Sequence, residues 1–154
     1  MRRCLETSKI IWRDIAPVID ERLVEINYGD AEGLTYKQLA ELYPEMIAGW
    51  NKGTDLSFPN GENTKDVDDR FESFLNFLRV DIFNKNCKSI GVVTHNSVLR
   101  CLIGKSFGLK PKEWFKLKIP HNTALEFLYF KNNFHPNINR NLISKIFNRI
   151  GRFK

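Results

Sequence analysis

The sequence predicts one α/β domain in which helices cover a buried sheet. Helical and strand-like segments alternate along residues 1–130, and this order favours layers of helices packed on a sheet. The segment 89–94, Ser-Ile-Gly-Val-Val-Thr, is apolar on both faces, as in a strand buried inside a sheet. The chain has 154 residues, of which 42% are hydrophobic and 27% are charged. This is the size and composition of one globular domain.

Two elements are predicted before residue 30. A helix runs from Arg3 to Ile15, because its apolar residues share one face, and Pro17 ends it. Arg22 to Ile26 is a strand-like run that ends in a turn at Gly29.

The middle of the chain is predicted to hold two helices separated by a loop. Thr35 to Trp50 has apolar residues at helical spacing, whereas residues 51–61 are rich in Gly, Asn, Asp and Pro. Asn63 or Thr64 can cap the next helix. The apolar stripe of that helix is the most regular in the chain and consists of Val67, Phe71, Phe74, Leu75, Leu78 and Ile82.

The remaining elements follow the predicted strand at 89–94. A helix runs from about Ser97 to Phe107, and Gly108 lies just beyond its end. Lys118-Ile119 and Ala124 to Phe130 are predicted strands on either side of a turn at 120–123.

The net charge of +6 is confined to the end of the chain. Residues 131–154 contain six basic residues and no acidic one, and in residues 1–130 the remaining Lys and Arg balance the 18 Asp and Glu. We therefore divide the chain into a domain, 1–130, and a basic, helical tail, 131–154. The charge belongs to an appendage rather than to a basic face, and no nucleic-acid partner is predicted.

Cysteine usage and apolar runs favour a cytoplasmic protein. Cys4, Cys87 and Cys101 are widely spaced and do not form a zinc-binding pattern, so no metal is predicted. No apolar run approaches the ~20 residues that a membrane span requires. The first six residues are followed by no apolar stretch of the kind found in a signal peptide.

Three residues carry the candidate chemistry. His95 follows the predicted strand and precedes a helix, whose free N–H groups suit a phosphate, although a histidine can also simply cap that helix. Glu25 lies at the end of a strand-like run and can act as a general acid, or it can be a solvated charge. Arg3 can bind a phosphate through two parallel hydrogen bonds, or it can be a solvated terminal arginine. None of the three is decisive alone.

Four short elements containing these residues occur in a distinctive order. They are Arg3-Cys-Leu-Glu-Thr7, Leu23-Val-Glu25-Ile-Asn-Tyr28-Gly29 with Glu32-Gly33, Phe58-Pro59-Asn-Gly61-Glu62-Asn63 with Arg70, and Val93-Thr94-His95-Asn96-Ser97-Val98-Leu99-Arg100. The series resembles the R-A-x-x-T, L-x-E-x-x-[FY]-G-x-x-E-G, P-x-G-E-[ST] and V-[ST]-H-G-x-x-[IL]-R elements of the histidine phosphatase superfamily. That family has the phosphoglycerate mutase-like fold, a three-layer α/β/α domain with a mostly parallel central sheet.

The resemblance implies a role for each matched residue. His95 corresponds to the second active-site histidine, which contacts the transferring phosphoryl group, and Glu25 to the proton donor for the leaving oxygen. Arg3 corresponds to a phosphate-binding arginine, and the backbone N–H of Asn96 adds a further donor. The substrate class implied is a small phosphorylated molecule. No metal or cofactor is implied, because arginine and histidine supply the positive charge.

The sequence departs from the family pattern at three points. Asn96 stands where the family usually has glycine, and Asn63 replaces Ser or Thr. The family's R-H-G segment, which carries the nucleophilic histidine, is not found in the 154 residues, and His121 and His135 have other neighbours. We therefore expect an N-terminally truncated, partial domain that is inactive alone. We also expect an unpaired edge on strand 89–94, with poor solubility or oligomerisation through that edge.

Several interpretations stay open from the sequence. The chain can belong to an active phosphatase, to a phosphoglycerate mutase-type phosphotransferase, or to an inactive relative that binds phosphorylated ligands or a partner. Phosphatase is preferred to mutase because the segment after Glu25 lacks obvious insertions. A binding module that works through its basic tail is the remaining alternative. The tail helix packs on the domain or lies weakly on an anionic membrane surface. The oligomeric state is not predicted.

Overall fold

The computed structural model describes residues 2–83, 87–121 and 123–148. These residues form helices and one β-hairpin. The elements are α1 (Arg2–Ile11), α2 (Tyr36–Leu42), α3 (Pro44–Lys52), α4 (Thr64–Phe77), α5 (Asn96–Ser106), α6 (Pro111–Trp114), β1 (Phe127–Phe130), β2 (Asn133–Pro136) and α7 (Arg140–Phe147). Single 3-10 turns lie at Glu21–Leu23 and Gly29–Ala31, and a π-helical turn, Leu78–Ile82, continues α4.

Local sequence signals set where the middle helices begin. The side chain of Asn63 accepts a hydrogen bond from the backbone N–H of Asp66, and the Asp66 side chain accepts one from Asn63 N–H. This capping box starts α4 as the sequence predicts. The helix predicted over Thr35–Trp50 is instead two helices. Tyr43 has φ −130° and ψ 58°, because a residue before a proline disfavours helical geometry, and Pro44 then opens α3.

The principal core lies where α4 packs on α5, and it extends to α6 and α7. Its most completely buried side chains include Val67 on α4 and Val98 and Ile103 on α5, each at most 1% exposed. The predicted stripe of α4 supplies one wall of this core. The buried members of the cluster are Val67, Phe71, Phe74, Leu75, Leu78, Val98, Cys101, Ile103, Leu109, Trp114, Leu117, Ile119, Ile146 and Phe147.

A smaller apolar cluster fixes the loop at 51–61. Leu39, Met46 and Ile47 are its buried residues from α2 and α3. The ring of Phe58 packs edge-on against the ring of Trp50, with 4.9 Å between the centroids. The aromatic residues of this loop therefore belong to a core, and they anchor the chain just before α4.

The segment predicted as a buried strand, 89–94, is extended but forms no ladder with any described residue. Ile90 and Val92 are 36% and 42% exposed, and the indole of Trp12 lies directly over Gly91. A strand requires a partner for its backbone N–H and C=O groups, and no described segment pairs with this one through its backbone, although the Thr94 hydroxyl donates to the carbonyl of Leu23. No parallel sheet is therefore present among the described residues.

The other predicted strands also differ in detail. The run at Arg22–Ile26 begins with a 3-10 turn because Asp20 accepts a hydrogen bond from Arg22 N–H. Lys118 N–H bonds the carbonyl of Ile146 at the end of α7 rather than a strand. Only the last part of Ala124–Phe130 forms a strand, β1. It pairs antiparallel with β2 through a two-residue loop, 131–132, in which both residues have positive φ.

The described part of the tail packs against the body. β2 lies within residues 131–154, and α7 buries Ile146 and Phe147 in the principal core. Asn122 of the predicted turn and Arg149, Ile150, Arg152 and Lys154 of the tail lie outside the described residues. The boundary at residue 130 stays a prediction. No described helix has the length and apolar character needed to cross a membrane.

Candidate active site

The segment that carries Glu25 is held by an ion pair on its inner side. Arg70 on α4 donates to the backbone carbonyls of Arg22 (2.8 Å) and Glu25 (3.2 Å), and it also bonds both carboxylate oxygens of Glu62. The side chains of Arg70 and Glu62 are 17% and 23% exposed. One guanidinium thus fixes both the backbone before the candidate acid and the loop before α4.

Glu62 also binds this segment directly, through two hydrogen bonds with the backbone of Asn27. Its carboxylate accepts from the N–H of Asn27 (2.8 Å), and its own N–H donates to the Asn27 carbonyl (2.8 Å). Although burial raises the pKa of Glu62, the hydrogen bonds from Arg70 and Asn27 outweigh that effect and leave the pKa below its usual value. Glu62 is therefore an ionised structural carboxylate.

The carboxylate of Glu25 is bound through one of its two oxygens. Oε1 accepts a hydrogen bond from the Ser97 hydroxyl and others from the backbone N–H groups of Ser97 and Ile26, both at 3.1 Å. Oε2 lies 4.0 Å from a terminal nitrogen of Arg3. The bound oxygen thus fixes the carboxylate, and the other oxygen faces the guanidinium.

His95 lies between the extended segment and α5, where it is only 5% exposed. A terminal nitrogen of Arg3 is 2.9 Å from its Nδ1. Because arginine only donates, Nδ1 must accept, and a neutral His95 carries its proton on Nε2. Burial lowers the pKa of His95, as does the nearby Arg3, while Glu25 opposes the shift. The imidazole is therefore neutral near pH 7, with Nε2–H as its donor.

Cys4 lies beside the second ring nitrogen of His95. Its Sγ lies 3.3 Å from Nε2 of His95, so the ring N–H donates to the sulfur. Burial raises the pKa of the Cys4 thiol, which is therefore uncharged near neutral pH. From the sequence, Cys4 is one of three widely spaced cysteines without a zinc-binding pattern, and it receives no role. Its place directly after Arg3, in the first matched element, is the signal that could have pointed to the site.

Asn96 opens α5 beside His95. Its backbone N–H has no acceptor among the described residues, which leaves it available to an anion at this helix end. Its side chain points toward the carbonyl of Ile119, with 3.4 Å from Nδ2 to the oxygen. Its Oδ1 is buried and has no partner within the described part of the chain.

The structure thus brings together the residues selected from the sequence. Arg3, Glu25 and His95 come from segments far apart in the chain, and Arg3 lies within 4.0 Å of each of the other two. Sequence reasoning did not select Ser97 or assign a task to Arg70. His121 is exposed on its turn, and Nε2 of His135 lies 3.3 Å from the Phe130 carbonyl in the hairpin. The described residues contain no cluster arranged to hold a metal ion.

A family comparison agrees with the order of the four elements. The model of the histidine phosphatase superfamily, branch 1, matches residues 1–139 of the chain. The chain belongs to the histidine phosphatase superfamily. The resemblance inferred from the four sequence elements is therefore confirmed, and the α/β fold of this family is the fold of the chain.

Solved structures of histidine phosphatase-like proteins support this fold. The α-ribazole phosphatase of Shigella flexneri superimposes with a TM-score of 0.75 at 20% identity, over 90% of this chain and 68% of that one. Bacillus stearothermophilus YhfR gives a TM-score of 0.71 at 24% identity, over 88% of this chain and 68% of that one. At these identities the likeness concerns the fold.

Curated relatives include much longer proteins. The human 6-phosphofructo-2-kinase/fructose-2,6-bisphosphatase 3 is 30% identical over 105 residues, which are 68% of this chain and 19% of that protein. The bifunctional protein Rv2228c of Mycobacterium tuberculosis is 36% identical over 69 residues, 44% of this chain and 19% of that protein. The matched part of the chain thus spans about a fifth of the length of each of these relatives.

Proposed function

We propose that this chain carries the phosphate-binding and acid half of a histidine phosphatase site. In this proposal, Arg3, His95 and the N–H of Asn96 bind the phosphoryl group of a small phosphomonoester. Glu25 protonates the oxygen of the leaving alcohol. The observation that carries the proposal is the convergence of Arg3, His95 and Glu25 within about one phosphate's width, on the N-terminal end of α5.

The charges of the site support this assignment. Arg3 is 71% exposed, so its guanidinium can turn to an incoming anion. The Asn96 N–H is a neutral donor with no acceptor among the described residues, and the His95 Nε2–H becomes a second one when it exchanges its bond to Cys4 Sγ for a phosphoryl oxygen. These two donors can stabilise the equatorial oxygens of a phosphoryl group in transfer. The two donors and the guanidinium together suit a phosphate dianion better than a carboxylate, which has only two oxygens to satisfy.

Turnover also requires a nucleophile. A phosphohistidine intermediate needs a histidine beside the phosphorus, and His95 is already occupied as a donor to the phosphoryl oxygens in this proposal. Because the 154 residues contain no Arg-His-Gly, we propose that they do not hydrolyse phosphomonoesters by themselves. A protein that binds phosphorylated ligands or a partner without turnover is the corresponding alternative.

The substrate class rests on the relatives. The names of the α-ribazole phosphatase, the glucosyl-3-phosphoglycerate phosphatase and the fructose-2,6-bisphosphatases describe phosphatases of small phosphorylated molecules. We therefore propose that the ligand is a small phosphomonoester, and that the reaction to which this half-site belongs is hydrolysis rather than mutase-type transfer. We also propose a cytoplasmic location, because the three cysteines are free and disulfides are rare in the reducing cytosol.

Binding of inorganic phosphate tests the proposal directly. Phosphate is titrated into 15N-labelled protein, and the backbone signals of Asn96 and Ser97 are followed. We expect a saturable shift, and at least about tenfold weaker binding in Arg3→Ala, because a hydrogen bond from a charged donor is lost. Arg2→Ala is the matched control, since Arg2 is 92% exposed and pairs with Glu6. Equal affinity of the two variants, or unmoved Asn96 and Ser97 signals, would refute the site.

A further inference from the structure

We propose that Ser97 is a positioning residue that holds the Glu25 carboxylate away from Arg3. In this arrangement, the guanidinium stays available to phosphate and Oε2 of Glu25 stays directed at the leaving group. The ligand of the site is the one given by the proposed function, on which the inference rests. The arrangement of the three side chains can also be measured without any ligand.

The Ser97 hydroxyl has a fixed direction. It donates a hydrogen bond to Oε1 of Glu25, and it accepts one from the backbone N–H of Ile26 at 3.1 Å. The same Ile26 N–H and the N–H of Ser97 also bond Oε1, each at 3.1 Å. The hydroxyl is thus the one side-chain donor on an oxygen otherwise held by two backbone groups.

Arg3 is the group from which Glu25 is held back. Oε2 stands 4.0 Å from a terminal nitrogen of Arg3, beyond the 2.7–2.9 Å of a charge-assisted hydrogen bond. The guanidinium instead bonds Nδ1 of His95 at 2.9 Å. A small rotation of the carboxylate would close the gap and give a forked pair. Such a pair would occupy the donors that the proposed function reserves for phosphate.

Removal of the hydroxyl is expected to release this rotation. In Ser97→Ala, Oε1 loses the hydrogen bond from the Ser97 hydroxyl, and the carboxylate swings onto Arg3. Phosphate must then compete with Glu25 for the guanidinium. Because Arg3 is largely exposed, we expect phosphate binding to weaken by about three- to fivefold, the range of an exposed ion pair. Ser97→Thr keeps the hydroxyl and is expected to retain the affinity of the original chain.

A double-mutant cycle separates positioning from a structural role. If Ser97 acts through Glu25, Ser97→Ala changes the phosphate affinity by less than about twofold in a Glu25→Gln background, because the charge that competes for Arg3 is gone. If Ser97 only stabilises α5, the loss is the same in both backgrounds, and the inference is refuted. Ser106→Ala is the matched control on α5, since its hydroxyl donates to the Leu102 carbonyl.

A second measurement needs no ligand. The side-chain Nε–H signal of Arg3 in the free protein is expected to move in Ser97→Ala and to return in the double variant with Glu25→Gln. If Ser97→Ala does not fold, Ser97→Cys takes its place. Because a thiol is similar in size to a hydroxyl but a weak donor, this variant is expected to move the Arg3 signal in the same direction. An unmoved Arg3 signal in the folded variant overturns the inference. A protein that binds no phosphate but shows the moved signal refutes only the proposed function.

Discussion

The two halves of the candidate site are held by very different amounts of structure. Glu25 and His95 lie against α4 and α5, whose facing side chains form the principal core and whose Arg70 fixes the Glu25 backbone. Arg3 and Cys4 lie on α1, which contributes one buried residue, Ser8, and no member of either apolar cluster.

This difference separates the rigid part of the site from the adjustable part. The contacts of α1 near the site are the polar ones from Arg3 and Cys4 to His95 and Glu25. Beyond α1, apolar side chains are left exposed, including Val18 at 94% and Ile15 at 66%. Glu25 and His95 are therefore preorganised by packing, whereas the position of Arg3 depends on contacts within the candidate site itself.

The largest expected effect is on the free energy of unfolding when an apolar side chain is truncated in the principal core rather than on α1. Phe71→Ala removes a ring that is 3% exposed in the principal core and should lower the free energy of unfolding by about 3–5 kcal/mol. Ile11→Ala on α1, where the side chain is 55% exposed, should change it by less than about 0.5 kcal/mol. Urea denaturation measures both. Similar losses would show that α1 is packed as firmly as the core.

A smaller effect is expected at the turn after Glu25. Gly29 has φ 52°, and a Cβ there would meet the Pro59 carbonyl oxygen at 2.0 Å, whereas Gly33 has φ 77° and open space around it. Both alanine variants carry the cost of positive φ, of order 1 kcal/mol. Gly29→Ala must also displace backbone and should lose about 2 kcal/mol or more. Equal melting temperatures of the two variants would contradict the close approach of Gly29 to the Pro59 carbonyl.

The smallest effect concerns pH and the contact between His95 and α1. The pKa of His95 is lowered in the folded protein, mainly by burial, from the ordinary value of 6.5. As the pH falls through that value, the unfolded chain takes up a proton that the folded chain resists, so stability falls on acidification and is unaffected well above pH 7. Protonation at Nδ1 would also break the bond from Arg3.

Unfolding at pH 7.5 and 5.5 checks this dependence. The free energy of unfolding of the original chain should fall over this interval by more than that of His95→Gln, and the signals of α1 should change before those of α4. An equal fall in both proteins would mean that the titration of His95 is not linked to folding.

The helical body could be predicted from the sequence because its signals are local, and the motif order could select residues that the structure brings close together. The capping box at Asn63 and the apolar stripe that follows it lie within a few turns of one helix. The order of the motif elements identified Arg3, Glu25 and His95 as partners before any geometry was available. The break before Pro44 was not predicted, although a proline inside a helical pattern favours the start of a new helix.

The remainder depended on contacts between distant segments. The run at 89–94 has a strand's composition, but composition does not supply the neighbour that would complete a ladder. Ser97 had no distinguishing signal, because its task comes from the position of Glu25, 72 residues earlier in the chain. The hairpin continues past the predicted end of the domain because Lys131 and Asn132 both adopt positive φ. Asparagine often adopts this conformation, but lysine does not, so the sequence carried only half of the turn signal.

The hydrolysis of p-nitrophenyl phosphate by the 154-residue chain tests the central claim most directly. The sample is first shown to bind inorganic phosphate with the Asn96 signal responding, so that an inactive protein is known to be folded. We expect binding without turnover, because in the proposed site Arg3, His95 and Glu25 supply the phosphate donors and the acid but no nucleophile. Turnover that disappears in His95→Asn would contradict it, since these residues would then complete the reaction themselves.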